Sequence, residues 1–208
     1  MTRPHEDLQR HAPTDHRVGG PVVAFAPGSW WAIDVVHVAS NREDAAISSY
    51  ETLIEKARAS GTRAREAAVL AAHDHRRVIV LVHLDGHEAF RHLNAAWDDH
   101  HLFTERHAVA ESHAIALYRL AACSGEGRID PATHDAYAFE HALIGGEAAR
   151  AAIDAAAKAP GFRGVCLFTT DDDRASAIVY RFEQREQIDA FRAPGEVFYP
   201  VHAVRTFA

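Results

Sequence analysis

The chain holds only two cysteines, Cys123 and Cys166, and only two lysines, Lys56 and Lys158. Two cysteines among 208 residues do not make a disulfide framework, so reduced thiols and a cytoplasmic setting are expected. The formal net charge is −7 and no cluster of Lys and Arg stands out, which argues against nucleic acid as a partner. Long apolar runs are also missing. The stretch from Val78 to Val82 is strand-sized, far below the roughly 20 residues that cross a bilayer, so no membrane partner is expected. Met1 to Gly20 carry no apolar h-region, and residues 1–28 are expected to be a mobile N-terminal arm. No Gly-x-Ser-x-Gly elbow, Gly-x-Gly-x-x-Gly turn or P-loop occurs, and Cys166 falls mid-strand without a predictable activator. Nucleophilic and nucleotide chemistry therefore have no motif to rest on.

What the chain does have is 48% hydrophobic residues, enough for a packed core, and a pattern that occurs twice. Trp31-Ala-Ile-Asp-Val-Val-His-Val38 reads as a strand that feeds a helix running to about Ser60, with Ser40-Asn41 as its cap. Ala46, Tyr50, Leu53, Ile54 and Ala57 form an apolar stripe along that helix. Residues 66–72 and 77–83 read as a hairpin, followed by a helix with Phe90, Leu93 and Trp97 and a strand over 113–120. The order repeats after Gly125, Gly127 and Pro131: strand 136–144, helix 146–158, strands 162–170 and 175–182, helix 184–193, strand 198–207. His37 and His141 align, as do Ala89-Phe90-Arg91 and Ala190-Phe191-Arg192.

The expected fold class is therefore α+β, with two tandem ferredoxin-like β-α-β-β-α-β units: 29–123, a linker over 124–133, and 134–208. Residues 29–208 resemble the dimeric α/β-barrel superfamily, particularly antibiotic-biosynthesis-monooxygenase-like domains, here as a pseudo-dimer in one chain. The resemblance rests on element order and on these repeated features, not on a catalytic signature. It implies two sheets packed into a barrel with helices outside and a ligand cavity. It also implies one of several activities, among them cofactor-independent oxygenation of aromatics, polyketide cyclisation and haem degradation. The expected partner is a small aromatic or polyketide-like molecule, and the expected assembly is a monomer or homodimer.

Strand alternation then assigns faces. A carboxylate buried under helices without a partner would cost several kcal/mol. Glu140 is therefore expected on the barrel face, and by alignment so are Asp34 and Val36. Ile33, Val35 and His37 are expected beneath the helices. Arg181 is expected on the barrel face too, with Arg119 and Arg205 in matching places and Val80 on an apolar wall. An oxygenase or proton-transfer site would use Asp34 or Glu140 as base and Arg181 with Arg205 to stabilise an anion, with Trp97 and His100 as a lid. An interior Glu140–Arg181 salt bridge is the alternative reading of that pair.

The 16 histidines include His73-x-His75 at the first hairpin tip and His101, His107 and His113, whose even spacing matches no compact zinc motif. No metal ligands are assigned, and the tip histidines are expected to be solvated. No cofactor is expected; a haem-binding or non-catalytic ligand-binding protein is the alternative, with Trp31, Trp97 and Phe103 as a possible wall. Asp171-Asp172-Asp173 reads as an acidic hairpin turn.

Overall fold

The protein is described from a computed structural model covering residues 20–39, 41–59, 61–98, 109–142, 146–191 and 198–207. In chain order the elements are β1 (Val23–Ala24), β2 (Trp30–Val38), α1 (Glu43–Ala59), β3 (Ala64–Ala72), β4 (Arg77–Leu84), α2 (His87–Asp98) and β5 (Ala110–Gly125). They continue as β6 (Arg128–Ile129), β7 (Ala136–Ala142), α3 (Gly146–Ala156), β8 (Phe162–Thr169), β9 (Ser176–Phe182), α4 (Arg185–Ala190) and β10 (Phe198–Phe207).

Eight strands close into a barrel in the order β10-β3-β4-β2-β5-β8-β9-β7, with β7 returning to β10. Every ladder is antiparallel. The two halves of the chain meet at two seams, β5 on β8 and β10 on β3.

Alternation along the strands divides the core into three parts. Trp31, Ile33, Val35, Leu70, Ile79, Leu81, Phe139, Phe168 and Val179 fill the barrel. Val36, Val69, Val80 and Val82 point outward against Ile47, Tyr50, Leu53 and Ile54 of α1 and Leu93 of α2. Ala138, Leu167, Ile178 and Tyr180 do the same against Ala149, Ala152 and Ile153 of α3 and Ile188 of α4. Helix α1 is held by this stripe and by its charges, with Glu43 and Asp44 in the first turn and Lys56 and Arg58 in the last, matching the helix dipole. Gly61 follows it with a φ of 85°, and its N–H bonds back to Arg58.

Three expectations are corrected here. The expected arm over 1–28 does not hold for its described part: Val23 and Phe25 are buried in the barrel cluster, where Phe25 packs edge-on against Trp31 and Phe168. Residues 1–19 and the Ser40 cap lie outside the described residues. The stretch 124–133 is more than a linker, because β5 runs to Gly125 and β6 pairs with β1. Cys123 and Cys166 are joined as a disulfide, because β5 and β8 bring them directly opposite with Cα atoms 4.2 Å apart. The acidic turn is present: Asp172 accepts the Thr170 hydroxyl and the Arg174 N–H, and Asp173 takes a φ of 55°.

Candidate active site

Asp34 sits at the middle of β2, and its side chain points outward beneath α1, where it is fully buried. Tyr50, one turn into the apolar stripe of α1, donates its hydroxyl to Asp34 Oδ2 at 2.9 Å. His113 on β5 is opposite Val36, diagonal to Asp34 on the same face, and its Nδ1 lies 3.3 Å from the same oxygen. Among the described residues Asp34 Oδ1 has no hydrogen-bond partner. Burial, and then the adjacent Asp34 carboxylate, raises the Tyr50 hydroxyl far above the ordinary tyrosine range, so Tyr50 stays a donor. The His113 side chain is 27% exposed while Asp34 is closed off, so the imidazole is the member of the trio that reaches solvent. A carboxylate at Nδ1 holds one tautomer and makes Nε2 the more basic nitrogen.

The expected barrel face is therefore inverted for Asp34, Val36, Val80 and Glu140. The expectation failed because a carboxylate under helices was assumed to lack a partner, whereas a tyrosine hydroxyl supplies one in each half. Glu140, fully buried on the α3 and α4 side, accepts the Tyr180 hydroxyl at 2.5 Å. Val36 and Val80 belong to the cluster under α1 and do not face the barrel.

The arginines do not converge. Arg181 shares the inner face of Val179, away from Glu140, and bonds Asp135 Oδ2 at 2.7 Å and Glu126 Oε2 at 2.9 Å. The expected Glu140–Arg181 bridge is absent for that reason. Arg205 pairs with Glu51 of α1, and Arg119 lies over the Trp30 ring at 5.6 Å. His100, Phe103 and His107 lie outside the described residues, as does the side chain of Trp97. His141, expected under the helices, instead meets Tyr118 of the barrel cluster, 2.9 Å from hydroxyl to Nε2.

Sequence reasoning does not single out Tyr50 or His113 as members of this candidate site. Tyr50 was visible as the one hydroxyl in an apolar stripe, a group that needs a buried acceptor, and the strand beneath offers Asp34. His113 had no comparable signal, because its neighbourhood with Asp34 depends on β5 lying beside β2.

No family model matches the sequence, and no curated protein is similar to it at a significant level. Solved structures do match. An anthrone oxidase-like protein superposes with a TM-score of 0.63 at 13% identity, over 89% of this chain and 96% of the other. A candidate monooxygenase from Fusobacterium nucleatum gives 0.56 at 10% identity, over 85% and 93%. A chlorite dismutase variant from Candidatus Nitrospira defluvii gives 0.51 at 11% identity, over 85% and 92%. Identities this low speak for the fold alone: the chain has an α+β architecture built on one large antiparallel sheet, and it shares that architecture with these solved structures.

Proposed function

We propose that the protein is a small-molecule enzyme of the antibiotic-biosynthesis-monooxygenase-like kind, its two halves acting as ferredoxin-like units of a pseudo-dimer. The reaction is a cofactor-independent oxygenation of an aromatic or polyketide-like substrate, begun by proton abstraction at His113. The observation that carries this reading is the half-exposed imidazole whose Nδ1 rests on a fully buried carboxylate.

His113 Nε2 takes a proton from an acidic C–H of the substrate, and Asp34 stabilises the imidazolium that forms. Tyr50 keeps the carboxylate oriented toward the ring. The resulting carbanion hands its electrons to dioxygen, so that a CH2 group and O2 become a carbonyl and water. Asp34 is thus a positioning residue and His113 the base. The orphaned Asp34 Oδ1 supports a functional role, since a buried unsatisfied acceptor costs about 1–3 kcal/mol and a purely structural site would be better served by an apolar residue.

Oxygen uptake with anthrones and quinols tests the proposal. His113→Ala is expected to lower turnover by about 10²- to 10⁴-fold. Asp34→Asn should shift the acid limb of the kcat/KM profile to lower pH, because loss of the carboxylate makes the imidazolium easier to deprotonate. A protein that consumes no oxygen with any of these compounds, or full activity in the His113 variant, would sink the proposal.

A further inference from the structure

We infer that Glu43, His75 and His202 form a binding site for a first-row divalent metal ion such as Zn2+, at the end of the barrel where α1 begins. Three separate elements deliver the ligands. Glu43 opens α1 and is 9% exposed; His75 sits in the turn between β3 and β4; His202 lies in β10. The two histidines are each placed by a local irregularity. His75 adopts a φ of 55°, and the register of β10 on β3 shifts between Val201 and Ala203, which takes His202 out of the regular ladder. Bulges commonly re-aim a side chain in this way.

One donor atom from each residue lies within 4.8 Å of the others. Glu43 divides its carboxylate between the two rings: Oε1 is 2.8 Å from His202 Nε2, and Oε2 is 3.3 Å from His75 Nδ1. The rings themselves are 4.4 Å apart. Yet neither Glu43 Oε2 nor His202 Nε2 makes a hydrogen bond among the described residues, although both are buried. Donor atoms drawn together without hydrogen-bond alignment are better explained by a cation shared among them than by two ion pairs.

Two imidazoles and one carboxylate suit borderline divalent ions, and three protein ligands leave a fourth position for water or a bound molecule. That position has somewhere to open. His202 and His73 also line the cavity of about 180 Å3, together with Asp135, Tyr137 and Arg185. His73 stands one ring away, its centroid 6.1 Å from those of both His75 and His202.

The site is separate from the Asp34 trio, so its test stands apart from oxygenase activity. Purified full-length protein, stripped with chelator, is titrated with Zn2+ by calorimetry and with Co2+ by visible absorption. The expected result is one saturable site and Co2+ d–d bands. His75→Asn, which keeps the left-handed turn, and His202→Gln should each weaken that site at least about tenfold, since even supporting residues of metal sites cost that much. Circular dichroism verifies that both variants fold. Absence of a saturable site in the parent protein, or unchanged affinity in either variant, would overturn the assignment.

Discussion

Inside the barrel the Tyr118 hydroxyl meets His141 Nε2, and burial acts on both partners in the direction that keeps them neutral. It pushes the Tyr118 pKa up to about 12 and lowers that of His141 below its usual 6.5. A histidine whose folded pKa is lowered binds fewer protons than the unfolded chain does. Its contribution to stability is therefore complete above about pH 6.5 and is lost as the pH falls toward the folded value. Urea midpoints are expected to drop between about pH 7 and pH 5, and His141→Gln, which keeps an acceptor for Tyr118, should drop less steeply. Identical slopes would mean that His141 titrates as a solvated residue. This pair also shows why facing was the part of the site that sequence did not reveal. Strand parity separates His141 from Glu140 and His37 from Asp34 with certainty, but it says only that the sets differ. The choice between inside and outside turns on whether Glu140, and by alignment Asp34, finds a donor on the helix side, and Tyr180 and Tyr50 supply those donors.

At the level of elements, the strands and helices were readable because each carries its own period: Trp31 to Val38 is strand-length and β-branched, and Ala46 to Ala57 repeats at three and four. The short pair β1 and β6 carries no period, which is why the sequence alone places Val23 and Phe25 in an arm. The disulfide was hidden for a different reason. It spans β5 and β8, whose adjacency follows from closure of the barrel, with 43 residues of sequence between the cysteines. Two outcomes are expected. Denatured, unreduced protein should offer no titratable thiol, and replacing both cysteines by serine should lower the unfolding free energy by roughly 2–4 kcal/mol. Two reactive thiols in the denatured protein would remove the clasp from the fold.

For the whole molecule, closure of eight strands within one chain pairs both edges of the large sheet, so the barrel is complete without a partner lending a strand. The two seams that achieve this are not equivalent. At β5 and β8 the halves share a covalent clasp, and the connecting chain also leaves from Gly125 at that seam, whereas β10 and β3 are held without a covalent link, by ladder bonds, packing and the side-chain contacts of Arg205 with Glu51 and of His202 with Glu43. The molecule is bound like a book, with its spine at β5 and β8 and its fore-edge at β3 and β10. Any opening short of full unfolding should part the pages at the fore-edge, so backbone amides of β3 and β10 are expected to exchange with deuterium before those of β5 and β8. Exchange that is uniform around the ring, or earliest at the spine, would show that the seams are equal. Because His202 belongs to β10 and His75 to the turn leaving β3, a metal shared between them would act as a latch across that fore-edge.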